Sequence, residues 1–571
     1  MSDIPLLPTI SLLLTAIQIA ANAATRPHIV AVLADDLGWY DTQIYNPNSP
    51  TPHLKALSDG GLRLDRHYVF RFCSPTRRSF LTGRLPTAIT TVQPDGGKLC
   101  SDFLPLAATL ISEKLSAVGY DCHFIGKGHL GYQTSDHLPV QRGFRSHVGY
   151  LGGSEGYKHG GGNVDSSIGS HDLWDGLGPS VDGVADMFYS TNYYTAAAVA
   201  IIEEVSASRL ITAPHFMYLA YQNVHDPYTL PPDWEAKDFP SMGQRLHVFA
   251  NMLALLDDGV RNVTSALRRA GMWESTLLLF SADNGAIGQY GNNYPLRGHK
   301  HDPWEGGTRV TAFLAGGALP SHIRGTASGE KLVYVADWYA TFCNLAGASA
   351  ADDVEIGGKI RSIDSVDVWP LLVGTNGTQP RPLTVITEVS AIEVVEAARS
   401  VATASEARGT RAAAPAHLWK LITLAGESNY YSEDGNQTDA PRECLSGRQP
   451  DPPQPGRTDP IVNGPAAHEH ADPECPVCNT TRPCLFDLLA DPSETINVAS
   501  SHPDVVRRLA EAIDAANAGQ YVNGTLDASV LEAKYDKLNT TKQWGGFLGP
   551  CFWRRGDQEK PPPSPPCSGD C

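Results

Sequence analysis

The chain has 571 residues, a formal net charge of −18 at pH 7 and a hydrophobic content of 42%. A chain of this length is too long for one compact core, so we expect at least two domains. The strong negative charge argues against a nucleic-acid partner, because a polyphosphate calls for a basic protein face.

Residues 1–23 predict a secretory signal peptide. An apolar run spans residues 10–20, residues 21–23 (ANA) match a cleavage site, and the run is too short to cross a bilayer. The segment before the run carries Asp3 but no Lys or Arg, so a buried N-terminal helix stays open as an alternative. Six N-glycosylation sequons support secretion, at Asn262, Asn376, Asn436, Asn479, Asn523 and Asn539.

Residues 28–34 (HIVAVLA) predict a buried parallel strand, because the run is continuously apolar and rich in β-branched residues. Asp35 and Asp36 follow it directly. Open α/β sheets place their ligand sites at the carboxyl ends of strands, so these two carboxylates are candidate site residues. A solvated turn with Asp as a helix cap is the alternative.

Residues 73–84 (CSPTRRSFLTGR) predict a short helix with Cys73 at its N-terminal end, because Pro favours the start of a helix and Gly the position after its end. A group at this end faces unpaired N–H donors and the positive end of the helix dipole, which suits an anion. We expect Arg77 to point the same way. Cys73 is therefore a candidate nucleophile, and a buried or disulfide-bonded cysteine is the alternative.

The apolar spacing of residues 104–119 predicts a helix that ends at Gly119, and residues 122–125 predict the next strand. Lys127 and His129 then alternate with glycines. We expect both side chains on one side of an exposed loop, where backbone can approach a ligand.

Residues 152–178 are rich in Gly, His, Ser and Asp without clear periodicity, and predict a surface loop at the rim of the site. A zinc role for His159 and His171 stays open, although histidines in loops are usually solvated.

Residues 215–221 predict another strand. His225 lies just past the end of this strand. It is a candidate catalytic residue, and a purely structural role is the alternative.

The spacing of residues 246–267 predicts a long amphipathic helix that covers a sheet face. A further buried strand, residues 277–282, ends in Asp283 and Asn284. Together with the acidic pair after the first strand, these side chains form an all-oxygen set. Such donors favour Ca²⁺ or Mg²⁺ over zinc, and the amide carbonyl favours Ca²⁺.

Residues 291–309 have abundant turn residues and predict a loop, of which Lys300 is the most informative member. Past residue 375 the composition shifts to Ala-rich, charged and Pro-rich pieces between short apolar runs. No second hydrophobic span occurs, so we expect no membrane span. The predicted division is a signal peptide (1–23), a catalytic domain (24–375), a smaller C-terminal domain (376–550) and a Pro-rich tail (551–571).

The chain has eleven cysteines. Setting Cys73 aside leaves ten, an even number compatible with disulfides in an oxidising compartment. Cys475 and Cys478 with Cys484 resemble a zinc cluster, but disulfides are the expected use in a secreted chain.

Several of these segments resemble the motifs of the type I sulfatases. The C-x-P-T-R and L-T-G-R pattern in residues 73–84 is similar to the defining motif of that family. Residues 119–129 are similar to its second motif, G-Y-x-T-x-x-x-G-K-x-H, with Cys122 in place of Thr and Gly128 in place of an aromatic residue. The contexts of His225 and Lys300 are similar to the arylsulfatase B branch.

This resemblance implies an α/β fold of the alkaline-phosphatase type: a sandwich with a large mixed sheet between helices, plus a smaller C-terminal domain with an antiparallel sheet. It also implies that a formylglycine-generating enzyme converts Cys73 to formylglycine, whose hydrate is the nucleophile, and that one Ca²⁺ is bound. The implied metal ligands are Asp35, Asp36, residue 73 (Cys73), Asp283 and Asn284.

The resemblance further implies the catalytic roles. Arg77, Lys127 and Lys300 would hold the sulfate oxygens. His225, with Lys300, would protonate the leaving oxygen, and His129 would take the proton whose loss releases sulfate.

The implied function is that of a sulfuric ester hydrolase of the secretory pathway, extracellular or lysosomal. Its substrates would be aryl sulfates or sulfated sugars such as N-acetylgalactosamine 4-sulfate. Two alternatives stay open: a catalytically silent glycan-binding relative in which Cys73 remains a thiol, and a related phosphonate or phosphodiester hydrolase.

Overall fold

The structure is a computed structural model. It describes residues 26–89, 103–158, 171–180, 189–207, 213–231, 247–287, 290–375, 378–396, 415–425, 430–431, 437–438, 478–521, 544 and 547–551. The predicted signal peptide, residues 552–571 of the predicted tail, His159 and four of the six sequons lie outside these residues. Asn262 is exposed on a helix and Asn479 is half-buried.

The strands of this part of the chain range from two to eight residues, and the longest is β17 of the smaller antiparallel sheet. They are β1 His28–Ala34, β2 Leu62–Arg63, β3 Arg66–Tyr68, β4 Asp121–Lys127, β5 Ser146–Tyr150, β6 Trp174–Asp175, β7 Gly178–Pro179, β8 His215–Ala220, β9 Thr276–Ala282, β10 Ala312–Ala315, β11 Thr326–Ala327, β12 Leu332–Tyr334, β13 Val354–Ile356, β14 Lys359–Arg361, β15 Leu383–Thr387, β16 Ser390–Glu396, β17 Pro415–Ile422, β18 Tyr430–Tyr431, β19 Gln437–Thr438 and β20 Cys484–Asp487.

The α-helices of the same residues range from one turn to more than six. They are α1 Pro52–Gly60, α2 Cys73–Thr82, α3 Pro86–Ile89, α4 Ile111–Ala117, α5 Ser190–Ala207, α6 His247–Arg269, α7 Glu305–Thr308, α8 Asp337–Ala346, α9 Trp369–Leu372 and α10 Pro503–Ala518.

The main sheet is mixed, with the strand order β11-β2-β10-β9-β1-β8-β4-β5-β6-β7. Its centre is parallel: β1 pairs with both β9 and β8, and β4 pairs with β8 and β5. Strands β10, β6 and β7 add antiparallel pairs on the two sides. Since β1, β8 and β9 are almost entirely buried, their sequences are continuous apolar runs rather than alternating ones.

A smaller antiparallel sheet has the order β15-β16-β17-β20. Helix α10 packs on it, because Leu509 and Ile513 share an apolar cluster with Trp419, Leu421 and Leu485. The fold class expected from the sequence, a large mixed sheet with helices and a smaller C-terminal antiparallel sheet, is confirmed.

A buried ionic cluster joins the smaller sheet to the main domain. The Lys420 ammonium, on β17, lies 2.9 Å from Glu305 Oε1 and 2.9 Å from Glu494 Oε1. The second oxygen of Glu494 accepts a hydrogen bond from the backbone N–H of Glu305 at 2.7 Å. All three side chains are fully buried.

Residues 544 and 547–551 pack on the main sheet rather than on the smaller one. Trp544 and Phe547 join an apolar cluster with Leu151 and Trp174. The ring of His171 lies 5.6 Å from that of Phe547. The predicted limits of the smaller domain stay a prediction.

Two local expectations were wrong. Residues 104–110 are irregular apart from one turn at residues 106–107, and the predicted helix begins only at Ile111, where the Glu113 carboxylate accepts a hydrogen bond from the Leu110 N–H at 2.6 Å. The predicted loop of residues 152–178 contains β6 and the start of β7, both paired into the main sheet.

The six described cysteines include three that are disulfide-bonded, Cys478, Cys484 and Cys551, and three that are free, Cys73, Cys122 and Cys343. Cys478 and Cys484 form a disulfide, which excludes the zinc alternative for these two residues. Cys122 and Cys343 are free and buried, so neither takes part in the expected pairing. Within the described ranges, no helix is both long enough and apolar enough to span a membrane.

Candidate active site

The candidate site is built on neighbouring parallel strands that end at the same edge of the main sheet. Asp35 and Asp36 follow β1, Asp283 and Asn284 follow β9, and Lys127 is the last residue of β4. Backbone hydrogen bonds continue past the strand ends, with Asp35 N–H donating to Asn223 O at 2.8 Å and Asp283 N–H to Ala34 O at 3.1 Å. The sheet therefore sets the spacing of these side chains.

Helix α2 brings Cys73 to this edge as its first residue. Pro75 lies in the first turn, where its missing N–H has no helical partner, and Gly83 ends the helix with a φ of 67°. Burial opposes ionisation of the Cys73 thiol, but the charges of Lys127 and Lys300 and a hydrogen bond from His225 outweigh burial and lower its pKa to about 6.

Arg77 and Lys127 are fully buried between carboxylates. The Arg77 guanidinium donates two hydrogen bonds to Asp283 Oδ2, at 2.9 and 2.7 Å, and lies 3.8 Å from Asp35 Oδ2. The Lys127 ammonium donates to the same oxygen of Asp35 at 2.6 Å. The expectation that Lys127 lies on an exposed loop was wrong, because it ends a central strand at 0% exposure.

Lys300 and His225 converge on the other carboxylate. The Lys300 ammonium lies 2.8 and 2.9 Å from the two oxygens of Asp36, and His225 Nε2 lies 3.7 Å from Asp36 Oδ2. Burial favours neutral Asp36, but Lys300, His225 and Lys127 outweigh burial and lower its pKa. Burial would lower the pKa of His225, yet Asp35 and Asp36 raise it well above its usual value.

Asp226 is a site residue that the sequence analysis did not single out. Its carboxylate lies 2.9 Å from His225 Nδ1, and its backbone oxygen lies 2.7 Å from the same nitrogen. The hydrogen bond to His225 lowers the pKa of Asp226. Its position directly after His225 was the only available signal.

The oxygen set fits a hard divalent cation. Within the described residues, the buried atoms Asp35 Oδ1 and Asn284 Oδ1 have no hydrogen-bond partner, so two oxygens are ready to bind a cation. Asp35, Asp36, Cys73 and His225 each offer one atom, and these four atoms lie within 4.8 Å of one another. A cluster of buried carboxylate and amide oxygens is the donor set that Ca²⁺ takes.

Asp283 lies at the edge of this oxygen set. Its Oδ1 accepts a hydrogen bond from the backbone N–H of Asp36 at 3.3 Å, while its other oxygen is shared by the two Arg77 donors. Burial and the charge of Asp35 raise the pKa of Asp283 to about 6, against the opposing effect of Arg77.

His129 lies two residues past Lys127 and is half-buried, with a φ of 54°. Its backbone N–H donates to Leu151 O and Gly152 O at 3.0 and 3.1 Å. Its imidazole lies directly against Gly153, at a distance that leaves no room for a Cβ there. The structure therefore fixes His129 through residues 151–153 rather than through a free loop.

Comparison with known proteins gives one family and several relatives. Residues 27–348 match the family described as Sulfatase. Arylsulfatase J of Mus musculus is 29% identical over 95% of this chain and 83% of its own length. Arylsulfatase A of Homo sapiens is 30% identical over 65% of this chain and 72% of its own length. N-acetylgalactosamine-6-sulfatase of Rattus norvegicus is 28% identical over 62% of this chain and 67% of its own length.

Solved structures share the fold. The crystal structure of Ps i-CgsB with k-i-k-neocarrahexaose superposes with a TM-score of 0.62 at 22% identity, over 90% of this chain and 100% of the other. PsFucS1 sulfatase from Pseudoalteromonas sp. superposes with a TM-score of 0.59 at 18% identity, over 89% of this chain and 95% of the other. At these identities the likeness concerns the fold alone.

Proposed function

The chain belongs to the sulfatase family and hydrolyses sulfate esters, and we propose that it does so through a formylglycine formed from Cys73 and one bound Ca²⁺. The observation that carries the proposal is the position of Cys73. This first residue of α2 is held between the carboxylates Asp35 and Asp36 and the cations Lys127 and Lys300. A nucleophile for an anionic ester needs this combination of a cation site and positive side chains.

Asp35, Asp36, Asp283 and Asn284, together with residue 73, would hold the Ca²⁺. When bound, the ion would act as a Lewis acid that favours the ionised form of the nucleophile. The two buried oxygens without a hydrogen-bond partner support this assignment.

Formylglycine would supply a hydrated aldehyde, with one hydroxyl to attack sulfur and a second whose deprotonation restores the aldehyde. A serine at this position has no second hydroxyl. The family's Cys-x-Pro-Thr-Arg pattern at residues 73–77 supports the modification.

Arg77, Lys127 and Lys300 would bind the sulfate oxygens and stabilise the charge of the transition state. In the structure each of these cations is paired with a carboxylate. A divalent cation on the same carboxylates would offset their charge, which leaves the three side chains free to turn to a sulfate group.

His225 would hold the proton that the leaving oxygen receives. Its Nδ1 is fixed by Asp226, so its Nε2 is the atom that presents the proton, and the hydrogen bond to the Asp226 carboxylate favours the charged ring. Lys300 would assist at the same oxygen. His129 would act later as the base that releases sulfate.

The proposed substrates are sulfated sugars such as N-acetylgalactosamine 4-sulfate, besides simple aryl sulfates. The relatives support a sulfated ring, since they include arylsulfatases and N-acetylgalactosamine-6-sulfatases. We further propose that the chain is made in the secretory pathway, with residues 1–23 as its signal and the predicted sequons as glycan sites.

The test compares Cys73→Ser with Cys343→Ser, since Cys343 is also free and buried. Turnover of p-nitrocatechol sulfate by Cys73→Ser should fall at least about a thousandfold, because the second hydroxyl is lost. Cys343→Ser should keep the wild-type rate. Mass spectrometry of the wild-type peptide should find the aldehyde at position 73.

A wild-type rate in Cys73→Ser, or an unmodified thiol in fully active enzyme, would refute the formylglycine proposal. A faster reaction with p-nitrophenyl phosphate than with p-nitrophenyl sulfate would support the phosphoester alternative instead.

A further inference from the structure

Two tyrosines join the loops that deliver His225 and Lys300. Tyr228 follows His225 by three residues, and Tyr290 lies on the segment that leads from Asn284 to Lys300. Their ring centroids are 4.0 Å apart, with an interplanar angle of 40°. The two loops therefore meet twice, once through the carboxylate of Asp36 and once through these rings.

Exposure rises stepwise along these loops from the carboxylate to solvent. The side chain of Asp36 is 1% exposed, that of Lys300 7% and that of His225 11%. Tyr228 and Tyr290 are both half-buried, and the Asp226 side chain is 61% exposed. The tyrosines are thus intermediate in exposure between the buried reacting groups and the surface, on the two loops that carry His225 and Lys300.

The ring of Tyr228 packs against a buried aromatic residue and stays neutral. Tyr228 packs edge-on against buried Phe249 of α6, with centroids 6.0 Å apart. Burial and the charges of Asp36 and Asp226 raise the pKa of Tyr228, so its hydroxyl remains a hydrogen-bond donor. A neutral, supported aromatic surface is well suited to a flat apolar face of a ligand.

The sulfate group and the rest of the substrate need different surroundings. The sulfate is an anion and requires the cations around Asp35 and Asp36. The carbon skeleton attached to the sulfate does not need these cations, and contact with an apolar surface contributes most to its binding free energy. The face of a pyranose ring exposes several C–H groups, and an aryl ring exposes its π face, so either ring can pack on a tyrosine.

We propose that Tyr228 and Tyr290 form a subsite for the six-membered ring that bears the sulfate ester. This inference rests on the proposed function, and it specifies the substrate as a ring sulfate, pyranosyl or aryl, rather than an acyclic alkyl sulfate. The alternative is that the two rings only hold the loops together.

The experiment measures two quantities for Tyr228→Ala and Tyr290→Ala: the KM for p-nitrocatechol sulfate and the inhibition constant of inorganic sulfate. Inorganic sulfate fills the anion site but has no ring. The subsite predicts a KM raised about tenfold with an unchanged inhibition constant for sulfate. Tyr228→Phe, which keeps the ring, should lie closer to the wild type.

Tyr193→Ala is the matched control, because Tyr193 is a half-buried tyrosine on α5, outside the site. It should leave both constants unchanged. If the rings only hold the loops, both constants should rise together in the alanine variants, because His225 and Lys300 would be displaced. That outcome, or an unchanged KM, overturns the subsite.

Different results would refute the proposed function and the tyrosine subsite. A wild-type protein that hydrolyses no sulfate ester would refute the proposed function. An active wild type whose KM is insensitive to both alanine variants would refute only the subsite.

Discussion

Gly153 lies directly against the imidazole of His129, a proposed catalytic side chain. An alanine Cβ at position 153 would lie 2.7 Å from His129 Cε1 and 2.8 Å from His129 Nε2. Real Cβ atoms do not approach a ring this closely, so the imidazole must shift in Gly153→Ala. The backbone of His129 would stay in place through its bonds to Leu151 and Gly152.

We expect Gly153→Ala to lower kcat by about ten- to hundredfold, because a displaced base slows the step that releases sulfate. The earlier attack on sulfur would remain, so rapid-mixing kinetics with p-nitrocatechol sulfate should show a burst of about one product per enzyme before slow turnover. Gly60→Ala is the control, since a Cβ at Gly60 meets no atom within 4 Å. An unchanged kcat in Gly153→Ala would contradict the role of His129.

At the opposite end of the central strands lies a cluster of three histidines. His28 and His215 begin β1 and β8, and His123 lies near the start of β4. His123 Nε2 is 3.3 Å from His215 Nδ1, and the His215 backbone N–H donates to His28 Nδ1 at 3.1 Å. Burial lowers the pKa of each of the three histidines to about 4. The neighbouring histidine ring adds to this lowering at His28 and His215. At His123 and His215, Asp121 opposes the lowering and Arg145 adds to it.

This cluster predicts that the protein loses stability as the pH falls. A histidine whose pKa is lowered on folding takes up a proton more readily in the unfolded state. It therefore does not reduce the free energy of unfolding above pH 6.5, and it reduces that free energy increasingly between pH 6.5 and 4. Each ring should cost on the order of 2 kcal/mol at pH 5. Urea unfolding of wild type and His215→Asn at pH 7.5 and 5 should show a smaller pH effect in the variant, and equal losses in both would contradict this.

Sequence patterns predicted the central strands but not the burial of the side chains at their carboxyl ends. Strands β1 and β9 were found because a strand buried on both faces is one continuous apolar run. Lys127 was misplaced because its neighbouring glycines are typical of a loop. Its burial depends on Asp35, which comes from a separate stretch of chain, and local patterns carry no such information.

Helix α4 illustrates a second limit. The apolar spacing of residues 104–119 fits a helix throughout. In residues 104–110, however, irregular backbone with a single turn buries Leu104, Ala108 and Leu110, and the Ala108 N–H donates to Pro105 O. In the same way, Asp226, Tyr228 and Gly153 have no motif of their own. Their roles depend on contacts that only the folded chain creates.

On the scale of the whole molecule, Lys420 is the charge that links the smaller sheet to the catalytic domain. Burial and the charge of Glu305 raise the pKa of Glu494 to about 7, and Lys420 is the cation that opposes this shift. Glu305 has other donors, including Tyr68 at 3.0 Å. Removing the ammonium would therefore raise the pKa of Glu494 further and favour its neutral form.

We expect Lys420→Met to lower the free energy of unfolding by about 3 to 5 kcal/mol, because it removes the buried cation that Glu305 and Glu494 share. Adding Glu494→Gln should recover part of this loss. Lys55→Met is the control, since Lys55 pairs with Asp59 at the surface and should change the value by less than about 1 kcal/mol. If denaturant unfolding of Lys420→Met matches the wild type, the cluster does not stabilise the fold.

All ten residues of α2 are buried, including Cys73 at its first position and the arginines of its second turn. Under the proposed function, an enzyme that converts Cys73 could not reach this side chain in the folded protein, so the modification would have to precede folding. The activity of each molecule would then be decided once, during its synthesis, and a chain that folds unmodified would stay inactive for its lifetime.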